Sequence, residues 1–318
     1  MRTKCLWMLA SLVFFSSSLV FAASDPKFLT IGTAGAGGAY YPMGIAMADV
    51  ITNKVGIQTT AQITGGAIEN NILINNGGND IAITLGFMAY FARNGMPPYK
   101  AKLENVEGLF SGLSKGVFQL VVDKNSPIKS VRDLKGKRVS LGPAGGGAIT
   151  LFFQVIQSYG FSEKEFKPVY QSYEQSADAL VDGNLDAILV QAAAPTPALF
   201  QLAASKKALR YLSIDDKTMQ ELIKKYPYMI PITLPKEMYK TDEPIKTFYT
   251  MIVVVVSKKL GADLVYRINK EIFENIDKIK ASHPSCKDFD LASAVQGMPI
   301  PYHPGAVKYF KEKGLTIK

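Results

Sequence analysis

The chain has 318 residues, 47% hydrophobic and 20% charged, with 36 Lys and Arg against 27 Asp and Glu for a formal net charge of +9. That balance excludes disordered, collagen-like and disulfide-scaffold chains, and the length allows two compact units, each with its own core. Two cysteines and two histidines in the whole chain leave little for nucleophilic, metal or acid–base chemistry. Catalysis is therefore the disfavoured class, and no cofactor or metal is expected.

Residues 1–22 read as a secretory signal peptide. Arg2 and Lys4 precede an apolar stretch from Leu6 to Phe21, and small residues follow at Ala22, Ala23 and Ser24, so cleavage is expected after Ala22 or Ala23. Cys5 leaves with that leader and Cys286 stays unpaired, which suits a cysteine-poor protein of the bacterial periplasm held together by core burial. The longest later apolar run, Met251 to Val256, is far short of the roughly 20 residues that span a bilayer. Lys135, Lys137 and Arg138 form the densest basic cluster. They make no stripe interleaved with aromatics, so nucleic acid is not an expected partner.

One pattern occurs twice. Phe28 to Ile31 reads as a strand that enters Gly32-Thr33-Ala34-Gly35-Ala36-Gly37-Gly38 and then a helix through Met43 to Lys54; Arg138 to Leu141 enters Gly142-Pro143-Ala144-Gly145-Gly146-Gly147 and a helix from about Ile149 to Tyr159. The first copy continues with a strand at Thr59 to Ile63, a helix from Ala67 to Asn75 and Gly78-Asn79-Asp80. The second continues with a strand at Pro168 to Tyr170, a helix from Glu174 to Val181 and Gly183-Asn184-Leu185-Asp186. Gly32 to Asp80 spans 48 positions and Gly142 to Asp186 spans 44, so the chain is read as two βαβαβ lobes with mainly parallel sheets. Past about Leu212 the alternation weakens. A strand at Met251 to Ser257 and an amphipathic helix from Leu264 to Ile279 then read as a return to the first lobe.

Parallel α/β sheets bind ligands outside the carboxyl ends of their strands. If the lobes face each other, the two glycine loops, the Thr64-Gly65-Gly66 turn and the Gln171-Ser172-Tyr173 turn converge on one cleft. A glycine loop opening a helix aims backbone N–H groups and the positive end of the helix dipole at an anion. This makes Ala36, Gly37, Gly38, Gly66, Gly145, Gly146 and Gly147 candidate binding positions. Tyr40 is placed to cover a ligand and donate its hydroxyl, and Tyr41 to pack or to bind. Glu69 complements a helix dipole, while Asn70 either caps its helix or contacts ligand. Neither loop completes a nucleotide motif: the first lacks the last glycine and the downstream acid, the second the Lys-Ser/Thr ending. His283 and His303 show no metal-ligand spacing and are read as structural.

The residues that carry the most specific pattern are Ile31-Gly32-Thr33 to Gly38 with Tyr40-Tyr41-Pro42-x-Gly44, Gly65 to Asn70, Asp133 to Ser140, and Ile300-Pro301-Tyr302-His303-Pro304-Gly305-Ala306. In this order the chain resembles the TAXI family, the TRAP-associated extracytoplasmic immunogenic solute receptors, along nearly all of its mature length. The resemblance implies a periplasmic binding protein of type II, with two βαβ lobes around a central ligand cleft. Such a receptor delivers a small organic solute, glutamate or a related carboxylate, to a TRAP permease driven by an ion gradient. It also implies binding positions at Leu85-Gly86, at Ala67 and at Pro195, where this chain departs from the family by having Leu-Gly for Gln-Ser, Ala for Ser, and Ala193-Ala194-Pro195-Thr196 for Gly-Leu-Pro-Asn. The second glycine loop departs too, losing two hydroxyls.

Every departure removes or shortens a polar side chain. The expected ligand is therefore a carboxylate with a larger apolar portion, anchored by backbone N–H groups and by Tyr40, Asn70, Gln171 and Gln191. Lobe 1 is expected at residues 24–116 plus 250–318 and lobe 2 at 117–249, with hinges near Leu113 to Gln119 and Thr247 to Val254, in a monomer. The alternatives are a receptor for a membrane sensor or a surface antigen with the same cleft, and an exported hydrolase, for which no nucleophile–base pair is present.

Overall fold

A computed structural model describes residues 25–204 and 208–317; the expected leader, Cys5 included, lies outside the described residues. The first repeat unit is β1 (Phe28–Gly32), α1 (Tyr40–Val50), β2 (Gln58–Gln62), α2 (Ala67–Asn76) and β3 (Ile81–Leu85), followed by α3 (Gly86–Asn94). A long strand, β4 (Val106–Asp123), leads to the second unit: β5 (Arg138–Ser140), α4 (Ala148–Ser158), β6 (Lys167–Val169), α5 (Tyr173–Val181) and β7 (Ala187–Ala193). Then come α6 (Pro197–Ala204), β8 (Leu209–Tyr211), α7 (Asp216–Lys225), β9 (Ile230–Leu234), a second long strand β10 (Ile245–Ser257), α8 (Ala262–Glu274), α9 (Ile276–Ser282) and α10 (Pro304–Glu312).

The repeat is real in three dimensions. β1 lies parallel between β2 and β3, and β5 lies parallel between β6 and β7. Each parallel triplet is flanked by an antiparallel long strand, β10 beside β3 and β4 beside β7. The two long strands also pair with each other, so the two halves form one continuous ten-stranded sheet among the described residues rather than two separate sheets. Along β4 the segment Gly116–Val121 pairs with β7, and along β10 the segment Ile252–Val256 pairs with β3, with register shifts between the long strands around Ile252 to Val255. Helices cover the faces because the central strands are apolar on both sides. Ile81 to Leu85 and Ala187 to Ala193 are buried at every position, as buried parallel strands require.

Two helix expectations need correction. The helix after the first loop ends at Val50 and passes through a π-helical turn, Ile51–Val55, closed by Gly56 at φ 82°. The predicted helix from Leu264 to Ile279 is broken at Asn275 (φ −115°, ψ 30°), where Nδ2 donates to the Glu271 carbonyl at 2.9 Å; a side-chain amide competing for backbone is a known helix interrupter. The two histidines cap short elements: the ring Nδ1 of His283 accepts from the Ser285 N–H, and that of His303 from the Gly305 N–H at the start of α10. Burial lowers the pKa of both rings. Gly305 must lack a side chain, because a Cβ there would lie 2.2 Å from the Ala262 carbonyl oxygen of α8. Cys286 is fully buried, and burial pushes its thiol up to about 11.

A cleft between the repeated units

All six parallel strands end at one cavity of about 150 Å³. Gly35, Gly38 and Tyr40 follow β1, Thr64 to Ala67 follow β2, and Leu85 ends β3; Pro143, Gly146 and Gly147 follow β5, Ser172 to Glu174 follow β6, and Gln191 and Ala192 lie in β7. Of the sequence-predicted positions, Gly38, Tyr40, Gly66, Ala67, Leu85, Gly146, Gly147 and Gln191 therefore share one wall.

The remaining seven stand outside that wall, each for a local reason. Ala36 points to solvent at the crest of its loop. Gly37 is turned into the opposite unit: its N–H donates to the Glu174 carboxylate and its carbonyl accepts from the Ala198 N–H at 3.2 Å. Asn70 is fully buried and braces the first unit, with Nδ2 donating to the carbonyls of Thr33 and Ile83 at 2.7 Å each and Oδ1 accepting from the Thr64 hydroxyl at 2.7 Å. Gly86 faces a second groove instead. Gly145 offers its carbonyl to the N–H groups of Ile68 and Glu69 at the start of α2. Gln171 buries its Nε2 with no acceptor among the described residues. Pro195 presents its carbonyl to the His283 ring.

The two units thus touch through their loops. A Cβ on Gly65 would come within 3.1 Å of the Gly145 Cα, so backbone packs on backbone there. Gly66, at φ 108° and ψ −151°, holds a conformation open only to glycine and starts α2 at the angle that meets the second loop. Several anion-seeking N–H groups predicted from the loops are already satisfied by the protein: Gly37 by Glu174, Gly65 by the Glu69 carboxylate at 2.7 Å, and Ile68 and Glu69 by Gly145. The first N–H groups of α4, preceded by Gly146 and Gly147 in the wall, have no partner within their helix.

Polar side chains in the wall are few. The Tyr173 hydroxyl donates to the Gln191 carbonyl and accepts from its N–H, both at 3.1 Å. Burial, with a contribution from the Glu174 charge, raises Tyr173 to about 12, and burial together with Tyr173 raises Tyr40 further, so both phenols stay neutral donors. Gln191 is 7% exposed; its Nε2 donates to the Gly116 carbonyl at 2.6 Å, and its Oε1 has no donor among the described residues. The sequence reading brought the Gln171-Ser172-Tyr173 turn to the cleft but missed Glu174 as a wall residue. The signal available was that α5 repeats the first-turn acid of α2.

Beside the cleft lies a larger groove lined by aromatic residues of α3 and of the segment before β9. Phe87 stacks on Tyr228 with ring centroids 4.6 Å apart and 8° between planes, and Phe91 meets the same ring edge-on. The Gln154 amide of α4 donates to the Tyr228 hydroxyl at 2.7 Å. This aromatic contact is a further fastening between the α3 side and the second unit.

No helix among the described residues is long and apolar enough to cross a membrane. The family model of the NMT1-like family matches residues 31–314. Among solved structures, the binding protein component of an ABC phosphonate transporter from Pseudomonas aeruginosa is similar over 82% of this chain and 79% of its own, at 15% identity and a TM-score of 0.51. A protein of Bordetella bronchiseptica RB50 is similar over 91% of this chain and 99% of its own, at 12% identity and a TM-score of 0.50. At such identities the likeness is one of fold, the mixed α/β architecture of binding proteins. The chain belongs to the NMT1-like family.

Proposed function

We propose that the protein is an extracytoplasmic solute-binding receptor that captures a small organic acid with an apolar body and hands it to a TRAP permease. The observation that carries this reading is the single cavity at the carboxyl ends of both parallel triplets, walled by both units. Ligand capture in such a cleft proceeds by closure of two bodies, which selects the state that a membrane partner recognises. The hinge is proposed near Leu113 to Gln119 and Thr247 to Val254 in the crossing strands, a reading supported by β10 exchanging β9 for β3 between Tyr249 and Ile252 and by β4 taking up β7 at Gly116. Residues 24–116 with 250–318 then move against 117–249.

An apolar body is favoured by Ala34, Ile63, Ala67, Leu85 and Ala192 in the wall. The carboxylate is assigned to the start of α4, whose first N–H groups have no partner within the helix and where the helix dipole adds to hydrogen bonding. Native mass spectrometry of freshly purified protein, followed by a thermal-shift panel of organic acids, tests the reading. Stabilisation by branched or aromatic acids supports it; stabilisation by glutamate with none by those acids removes the apolar body. Reconstitution with TRAP and with ABC permeases separates the two transporter classes: solute-dependent uptake through an ABC permease alone overturns the TRAP assignment.

A further inference from the structure

Glu174 is the one charged side chain in the cavity wall among the described residues. It is an acid in a site whose loops, read alone, look built for anions. Its carboxylate does not turn to solvent or to a cation; no Lys, Arg or His of the described residues lies within ion-pair distance of it. It crosses to the first unit and accepts the Gly37 N–H. A Cβ on Gly37 would lie 2.5 Å from the Glu174 carboxyl carbon, so the loop has no side chain at the point where that acid is seated. Gly35 lies next to the same carboxylate, 3.7 Å from Oε2 by the same measure. The anion position of the first glycine loop is thus filled by the protein itself.

In the same wall the Gln191 Oε1 is an acceptor without a donor among the described residues, and Nε2 donates to the Gly116 carbonyl. The loop that opens α4 brings Gly146 and Gly147 to the cavity, while Glu174 brings a carboxylate with no cation beside it.

We propose that Glu174 is a specificity-determining residue that fixes the ligand as a monocarboxylate and rejects dicarboxylates. This deepens the proposed function and rests on it. The carboxylate of the ligand goes to α4, and its far end, uncharged or bearing a donor, meets Glu174. A second carboxylate at that end faces a like charge in a confined site with no cation in the wall, an arrangement that costs affinity strongly.

The test is calorimetric titration of the wild type, Glu174→Gln and Glu174→Asp with two matched pairs: 4-methyl-2-oxopentanoate against 2-oxoglutarate, and leucine against glutamate. Circular dichroism and melting curves establish that all three proteins are folded. In the wild type the monoacid of a pair binds at least about tenfold tighter than the diacid. Glu174→Gln, which keeps an acceptor for Gly37, raises diacid affinity by about tenfold or more and leaves the monoacid nearly unchanged. Glu174→Asp, which keeps the charge, retains the preference. A preference for the diacid in the wild type, or a ratio unmoved by Glu174→Gln in proteins that bind acids, overturns the inference alone. Absence of binding of any acid to all three proteins overturns the carboxylate reading and the inference with it.

Discussion

In both repeated units the helix after the second strand carries a glutamate in its first turn, Glu69 in α2 and Glu174 in α5. Glu69 folds back on its own unit and accepts the Gly65 N–H, whereas Glu174 reaches across the cleft to Gly37. The fourth residues, unlike the glutamates, both stay within their own units. Asn70 joins three loop and strand ends of the first unit, and Ser176 makes a shorter link, to the Ser140 hydroxyl at 2.7 Å and the Ser172 carbonyl at 2.7 Å. A first-turn glutamate therefore serves bracing in one half, from the third position of α2, and cross-cleft contact in the other, from the second position of α5. A sequence repeat predicts where a side chain stands, while its partner is decided by how the halves meet.

The largest expected effect comes from separating the halves where backbone meets backbone. Gly65→Leu puts a side chain against Gly145 and should weaken solute binding roughly 10- to 100-fold through a closure cost of about 1–3 kcal/mol, with the melting temperature of the solute-free protein little changed. Titration calorimetry and small-angle scattering read this; an unchanged affinity would show that the Gly65–Gly145 contact is not part of the bound state.

Next is the bracing residue. Asn70→Ala should cost about 2–3 kcal/mol, since it takes the side-chain donor from the buried Ile83 carbonyl and one of two from the Thr33 carbonyl, which keeps the Thr64 hydroxyl, and Ser176→Ala about 1 kcal/mol. Urea unfolding of the two variants tests the difference; equal losses would dissolve the contrast between the units. Tyr228→Ala removes the stack on Phe87 and the Gln154 bond, and a loss of about 1–2 kcal/mol from the closed state should appear as roughly 5- to 30-fold weaker binding.

The smallest effect is pH dependence, and most of the depressed carboxylates behind it lie in the second half, with Asp49 and Asp290 outside it. Asp186 is held below the usual carboxylate range by its hydrogen bond to Arg138, at 2.8 Å, and Glu165 is lowered to about 2 by Lys135. Depressed carboxylates stabilise above their unfolded pKa, and that contribution fades as the pH falls through the folded value. Stability should thus decline modestly from about pH 4.5 towards pH 2. Asp80, at the matching position of the first unit, bonds Thr30 instead. Asp186→Asn should flatten the acid limb of the urea midpoint, and an unchanged limb would remove the Arg138 pair as its source.

The architecture was readable because glycine loops and strand–helix alternation repeat at nearly constant spacing, which is local information. The wall of the cleft was readable where loop position alone decides it, as at Gly38, Gly66 and Gly147. It was unreadable where packing decides. Ala36 and Gly37 are neighbours in a uniform-looking loop, yet one meets solvent and the other is hydrogen-bonded on both sides. Asn70 carries the polar groups expected of a ligand contact, but its helix turns it inward. Glu174 looked like an ordinary acid at a helix start, because contact between halves far apart in sequence leaves no local trace.

Cys286 has a practical consequence. Among the described residues it is the one cysteine, sealed in the core with its thiol pushed to about 11, so it is a poor target for maleimides at neutral pH. In protein expressed without residues 1–22, a cysteine introduced on the rim of the cleft would then take a fluorophore alone, without a prior Cys-to-Ser change at Cys286. The scaffold is in that sense ready to serve as an optical sensor of its own solute.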